Sequence, residues 1–149
     1  MNLERYPYYA TDDAQEYTFY SEGPRGLIRK VVKFVKARDN PIIYNLGFGD
    51  VDALTGIIDD LAITDNKDRD RILATVATTI NEFCDHHGNH YIYAEGNTPA
   101  KTRLYQMSIG RMLNDIKPGF EVYGFRDDGF ESFQLNVNYE AFLVKRKEK

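Results

Sequence analysis

Several side chains in this sequence could carry out acid–base chemistry if the fold brought them together. Tyr105 and Lys101 are four residues apart, so they share one side of a predicted helix. Asp50, Asp59 and Asp60 flank predicted strands, where a carboxylate can act as a general base or hold a cation. These five residues are the candidates for catalysis. The alternative interpretation is that the aspartates are solvated turn residues and that Lys101 lies over the core.

A second group has the residue types that bind zinc. The stretch CDHHGNH contains Cys84, His86, His87 and His90. Adjacent residues of a helix point about 100° apart, so His86 and His87 diverge. Cys84 belongs to the apolar stripe of the same helix, where a buried thiol is expected. We therefore predict that this stretch holds no metal.

Basic residues are concentrated between positions 25 and 38, where the chain has six of them and no acid. Strand alternation places Arg29 and Lys33 on one face and Lys30 and Lys36 on the other. Such a segment can bind a polyanion, although lysines on an exposed strand also deter aggregation. The candidate polyanion contacts are Arg25, Arg29, Lys30, Lys33 and Lys36.

The composition fits one domain over residues 1–149, with residues 1–16 as an irregular N-terminal lead-in. The formal net charge of −4 disfavours nucleic acid as the default partner. The single Cys84 excludes an internal disulfide and favours a reducing compartment. The segment MNLERYPYYA lacks the apolar run of a signal peptide, and no segment is apolar enough to cross a membrane. We expect a cytoplasmic protein without a membrane partner.

The elements that must position these residues follow from apolar periodicity. We predict strands at about 17–22, 27–37 and 42–49, a short strand near 57–64, and strands at 90–96, 120–126 and 130–145. Helices are predicted within 68–88 and 97–116, because apolar residues there recur at helical spacing. The predicted fold class is α+β. An N-terminal antiparallel meander is followed by β-α-β-α-β-β, with both helices packed on a mixed sheet.

This order of elements resembles the GCN5-related N-acetyltransferase fold without the helices that usually follow its first strand. In that family one helix begins at a pyrophosphate loop with a pattern like [RQ]-x-x-G-x-[GA], and a later helix carries a pattern like N-x-x-A-x-x-L-Y. The stretch NTPAKTRLY is similar to the second pattern, with Leu104 and Tyr105 one residue later. The resemblance implies acetyl-CoA as a cofactor and Tyr105 as the general acid toward the leaving thiolate. The base would be Asp50, Asp59 or Asp60.

The first of these two patterns is replaced by TDNKDRDR, which contains no glycine. Asp65, Asp68 and Asp70 place negative charge where a diphosphate would lie, and an Asp or Asn side chain here can cap the helix. We therefore expect a self-capped helix terminus with no bound nucleotide. Where the central strands of the sheet splay apart, the gap between them can form an open pocket or be filled by side chains. Both alternatives stay open.

The combined pattern ILATVATTINEF and EGNTPAKTRLYQ also resembles a family of small, uncharacterised bacterial proteins. The leading functional expectation is a non-catalytic binding or interaction module with a degenerate acetyltransferase-like core, no cofactor and a protein partner. The first alternative is an acyl-CoA-dependent N-acetyltransferase. The second is a nucleic-acid-binding protein.

Overall fold

A computed structural model describes residues 4–51, 54–56, 58–59, 67–96 and 98–148. Within these residues three helices are present: α1 (Arg69–His87), α2 (Pro99–Arg111) and α3 (Leu113–Ile116). The same residues form a nine-stranded sheet. Its strands are β1 (Tyr8–Ala10), β2 (Glu16–Gly23), β3 (Gly26–Asp39), β4 (Ile42–Val51), β5 (Ile58–Asp59), β6 (Tyr91–Ala94), β7 (Phe120–Arg126), β8 (Gly129–Ser132) and β9 (Ala141–Arg146).

The sheet is mostly antiparallel and has one parallel pair. Strands β2 to β4 form the expected antiparallel meander, β1 adds an antiparallel strand to it, and β5 pairs antiparallel with the end of β4. Helix α1 then crosses over, so that β6 pairs parallel to β4. Strand β9 lies between β6 and β7 and is antiparallel to both. The mixed α+β fold predicted from the sequence is confirmed.

The described residues form two core clusters on the face of the sheet that carries the helices. In the first, Phe83 of α1 stacks on Phe34 of β3 with ring centroids 4.3 Å apart. In the second, Met112 and Ile116 pack with residues of β7 and β9, including Phe142. Full burial of one such side chain contributes about 1.5–3 kcal/mol. The two clusters meet around Ile80 and Val144, which contact both.

Two boundaries differ from the sequence-based expectation. The lead-in expected to be irregular contains β1, because residues 8–10 pair with β2. The strand expected over 130–145 is two strands, since the chain leaves the sheet after Ser132 and returns at Ala141. Asn136 turns the intervening segment with a φ of +64°, while Phe133 and Tyr139 are buried. Phe133 and Tyr139 therefore fill the core while the chain between them leaves the ladder.

The junction between β6 and α2 is formed as the sequence indicates. The Thr98 hydroxyl accepts a hydrogen bond from the backbone N–H of Lys101 at 3.2 Å, and Pro99 occupies the first helical position. The Thr102 hydroxyl accepts from the backbone N–H of Gly96 at 3.0 Å, which holds the incoming chain against the first turn. No helix among the described residues is long and apolar enough to span a membrane.

Candidate functional site

A cavity of about 170 Å³ lies where the two parallel strands diverge. Strand β4 pairs with β6 only through residues 43–45, opposite residues 91–93. Beyond this point β4 continues to Val51 while β6 ends at Ala94. The cavity begins in this splay, where Leu46, Phe48 and Ala94 contribute to its lining. The open-pocket alternative for the splay is therefore the one observed.

The helices supply most of the rest of the lining. One side of α1 contributes Ile72, Val76 and Ile80, which follow the apolar spacing predicted for this helix. Helix α2 contributes Tyr105 and three neighbours on the same side of the helix. The described lining residues from both helices are Arg69, Ile72, Leu73, Val76, Ala77, Ile80, Leu104, Tyr105, Ser108 and Ile109. The cavity is thus apolar, with a few polar side chains.

A buried ion pair borders this cavity. Lys30 of β3 is 0% exposed, lines the cavity, and donates to Asp50 Oδ1 at 2.5 Å. The two residues are direct cross-strand partners, so their side chains leave the sheet on the same face. The Lys30 ammonium also lies 5.7 Å from the centroid of the Phe48 ring. A fully buried lysine is rare unless it is paired, so this pair is built into the site.

The structure brings some of the predicted catalytic residues together. Tyr105 lines the cavity, and Asp50 is bonded to Lys30, which lines it too. Asp59 is the backbone register partner of Asp50 on β5. Asp60 lies outside the described residues. Lys101 is 6% exposed and lies in the first turn of α2, outside the described lining of the cavity.

The N-terminus of α1 is not capped as predicted. Asp68 is the N-cap residue, but its side chain makes no capping hydrogen bond. Instead Asp68 Oδ2 accepts from the Tyr6 hydroxyl at 2.6 Å and from the Ser21 hydroxyl at 2.5 Å. Burial, and then the hydrogen bond to Asp68, raise the pKa of Tyr6. The expectation of a self-capped terminus is therefore wrong for Asp68, because two long-range donors take its carboxylate.

Basic as well as acidic side chains surround this helix terminus. The groove beside it is lined by Lys67, Arg69, Arg71 and Arg111 and by the acids Glu4, Asp68 and Asp70. Asp70 accepts from Arg111 at 2.7 Å, and the Arg71 guanidinium lies 3.8 Å from the centroid of the Tyr6 ring. Among the described residues that line the groove, bases outnumber acids. Asp68 and Asp70 line the groove as the sequence indicates, and Asp65 lies outside the described residues.

The basic segment does not form one surface. Lys30 is buried, which contradicts its predicted place among exposed polyanion contacts. Lys33 pairs with Glu16 at 3.5 Å, and Lys36 with Asp39 at 3.4 Å. Arg29 lies on the same face as Lys33, as predicted, and Arg25 lies in the turn before β3. The five candidate contacts therefore do not share one surface, because one is buried and the others lie on both faces of β3 or in the turn before it.

The histidines at the end of α1 are used in structural contacts. His87 Nε2 donates to the Asp13 carbonyl at 2.6 Å, and His90 Nε2 donates to the His87 carbonyl at 2.9 Å. Cys84 is buried in the core, and burial raises the pKa of its thiol. Among the residues that the structure describes, no group of three or more His, Cys, Asp or Glu side chains is placed to hold a metal ion.

Sequence reasoning treated Lys30 as a surface residue, although the sequence contained a signal for its burial. Lys30 alternates with Val32 and Phe34, two apolar residues of the core face. In a strand this period of two places all three on one face, so Lys30 had to point toward the helices. Its partner Asp50 is 20 residues away in the chain, and pairing of the strands is what joins them.

Comparison with known proteins identifies one family model, described as "Family of unknown function (DUF6934)", which matches residues 2–147. No curated protein and no solved structure matches this chain.

Proposed function

The chain belongs to this family of unknown function, and the family description names no activity. We therefore propose a role from the geometry of the site. The proposed role is that of a non-catalytic binding module whose small ligand places an apolar group in the cavity between α1, α2 and the sheet. The observation that carries this proposal is the cavity of about 170 Å³ with its largely apolar lining. Apolar pockets with a few convergent polar groups are the usual form of small-molecule sites.

The volume suggests the size of the group that binds. An apolar cavity of about 150 Å³ in another protein stays dry and binds benzene, so the present cavity suits a group of about six carbon atoms. Ile72, Val76 and Ile80 would contact one side of that group, and Leu104 and Ile109 the other. Filling such a cavity restores dispersion contacts that its lining lacks when empty.

The position of the cavity supports a GCN5-related N-acetyltransferase-like arrangement of the sheet, which we propose as the finer fold. Three features support it, of which two are the parallel pairing of β4 with β6 and the insertion of β9 between β6 and β7. The third is the splay of the parallel pair beside the N-terminus of α1. The proposal concerns topology and carries no activity with it.

Thermal unfolding with 1-hexanol tests the binding proposal. A ligand that binds only the folded state raises its stability once its concentration exceeds the Kd, by about 2.7 kcal/mol at 100 times the Kd. For a chain of this size each kcal/mol raises the Tm by about 2–4 °C. We expect a saturable rise in the Tm of the wild-type protein.

A cavity-filling variant identifies where the probe binds. Ala77 is 7% exposed and lines the cavity, so Ala77→Leu places a larger side chain in the space and should abolish the rise. Asn81→Leu makes a similar apolar addition at an exposed position of the same helix and should retain it. No rise in the wild-type protein, or an equal rise in Ala77→Leu, would overturn the proposal.

A second candidate function is an acyl-CoA-dependent acyltransferase, favoured by the position of Tyr105 in the lining of the same cavity. Tyr105 would be the acid, and Asp50, held by Lys30, would supply the carboxylate. Titration with acetyl-CoA separates this candidate from the binding module. If the protein is not an acyltransferase, millimolar acetyl-CoA leaves the Tm unchanged. A dose-dependent rise that Arg69→Ala removes and Arg103→Ala retains would favour the acyltransferase.

A further inference from the structure

The sheet has a second face, opposite the cavity, on which the described chain places no helix. The helices pack on the face that holds Phe142. Adjacent residues of a strand alternate between faces, so Leu143 lies on the other one. Its register partners on the flanking strands, Tyr93 and Tyr123, lie there too.

Three aromatic rings meet at one corner of this second face. The Phe130 ring lies 5.0 Å from that of Phe125 and 6.5 Å from that of Tyr93, measured between centroids. Phe130 is 47% exposed, so part of its ring meets the solvent. These three residues form what we call the aromatic corner. Clustered exposed rings of this kind are typical of interaction surfaces.

Two carboxylates lie beside the aromatic corner. The Tyr93 hydroxyl donates to Glu95 Oε2 at 3.2 Å. Burial, and then the negative charges of Glu95 and Glu140, raise the pKa of Tyr93. Both glutamates are exposed, and within the described residues neither forms an ion pair.

The basic side chains of the strands at this corner are engaged elsewhere. Arg126 bonds to Glu131 at 2.8 Å, and Arg146 bonds to α1 at 2.6 Å. The Lys145 ammonium lies 5.0 Å from the centroid of the Tyr91 ring, toward the far end of β9. The described surroundings of the aromatic corner therefore carry an excess of negative charge, which a cation from outside would complement.

We propose that the aromatic corner docks an arginine-bearing segment of another protein, with the guanidinium against Phe130 and paired with Glu95 and Glu140. Guanidinium is the cation that both stacks on aromatic faces and binds carboxylates through parallel N–H donors. The same carboxylates repel the phosphates of nucleic acid. A two-fold contact between copies of this chain would bring its own carboxylates together. This surface is separate from the cavity, so the proposal does not depend on the proposed function.

The edge of the sheet favours a peptide over a free small cation. Among the described strands, β8 is the last in the sheet and pairs with β7 alone. An extended segment can add to such an edge through main-chain hydrogen bonds, while its side chains reach the face beside it.

An NMR titration with acetyl-hexaarginine amide, at an ionic strength of about 0.15 M, tests the proposal. We expect saturable shifts of the backbone amide signals of Tyr93, Glu95 and Phe130. Acetyl-hexalysine amide carries the same charge but no planar cation, so it should bind about threefold more weakly.

Variants separate the site from the overall charge of the protein. Glu95→Gln/Glu140→Gln should weaken hexaarginine binding about fivefold or more, because two ion pairs are lost. Asp12→Asn/Asp115→Asn changes the net charge equally at exposed positions elsewhere and should keep the wild-type Kd. Phe130→Ala should weaken binding about threefold.

Several results would overturn the proposal. They are the absence of saturable shifts at the aromatic corner, equal weakening in both double variants, an unchanged Kd in Phe130→Ala, and equal affinity for the two peptides. Shifts of the same signals with protein concentration alone would assign the surface to a second copy and overturn it too. Shift mapping and the comparison of peptides use the wild-type protein, so they decide even if a variant does not fold.

Discussion

Asp68 accepts a hydrogen bond from the hydroxyl of Tyr6, 62 residues earlier in the chain, at 2.6 Å. Asp68 is the N-cap residue of α1, so this hydrogen bond holds the N-terminal segment against the first turn of the helix. The contact is reinforced because the backbone N–H of Tyr6 donates to the Thr75 hydroxyl at 2.9 Å. The Tyr6 ring also stacks on Phe19, with centroids 5.9 Å apart.

Removal of the Tyr6 hydroxyl should therefore destabilise the fold. Tyr6→Phe keeps the ring and loses a hydrogen bond to a charged group, so we expect the free energy of unfolding to fall by about 1.5–3 kcal/mol. Urea denaturation measures the change. Tyr9→Phe is the matched control, since Tyr9 is 75% exposed and its variant should unfold like the wild-type protein. Equal stability of Tyr6→Phe and the wild-type protein would show that the hydrogen bond from the Tyr6 hydroxyl to Asp68 does not stabilise the fold.

The junction before α2 should not tolerate a side chain at Gly96. A Cβ there would lie 2.5 Å from the backbone nitrogen of Thr102 and 2.6 Å from Lys101 Cβ. Because backbone atoms of the helix cannot give way cheaply, Gly96→Ala should lower the free energy of unfolding by about 1–3 kcal/mol or more. Gly129→Ala, where nothing lies within 4 Å of the added Cβ, should have little effect in the same denaturation experiment.

The Lys30–Asp50 pair should show strong energetic coupling. Lys30→Met alone removes the ammonium group that pairs with the buried Asp50 carboxylate, and loss of one partner costs about 3–5 kcal/mol in comparable pairs. Lys30→Met/Asp50→Asn removes both charges, so it should be more stable than Lys30→Met. A double-mutant cycle by urea denaturation, completed with Asp50→Asn, measures the coupling. If the losses in free energy of unfolding of the two single variants add up to that of the double variant, Lys30 and Asp50 do not interact as a buried pair.

Acid should weaken the segment that joins β8 to β9. A hydrogen bond from Arg126, and then one from Tyr139, lower the pKa of Glu131 below its ordinary value of 4.5. A carboxyl whose pKa is depressed in the folded state contributes stability above its unfolded pKa. It loses that contribution as the pH falls through the folded pKa.

We therefore expect the stability of the wild-type protein to fall more steeply between about pH 5 and pH 3 than that of Glu131→Gln. Denaturation at several pH values measures both slopes. Glu121→Gln, an exposed position on β7, is the control and should retain the wild-type slope. If Glu131→Gln follows the wild-type slope as well, the contacts of Glu131 do not contribute to acid stability.

The sequence by itself determined most of the elements, because their signals are local. Alternation along 42–49 placed Tyr44 and Phe48 on the core face, and helical spacing identified the side of α1 that holds Val76. A parallel pair joined by the crossover of α1 also followed, but its partner was wrong, because β6 pairs with β4 and not with the strand expected near 57–64. The single strand predicted over 130–145 was wrong because the chain leaves the ladder between Ser132 and Ala141, where Phe133 and Tyr139 bury their side chains in the core.

The tertiary structure decided what those residues do. The Asp68 side chain could cap its own helix, but its carboxylate accepts hydrogen bonds from Tyr6 and Ser21 instead. Both donors are distant from Asp68 in sequence. Lys30 acquires its counter-ion only when β3 pairs with β4. The cavity has no local signal at all, because its volume is what remains when two strands diverge beneath two helices. Contacts between distant segments are set by the packing of the whole chain, which periodicity does not encode.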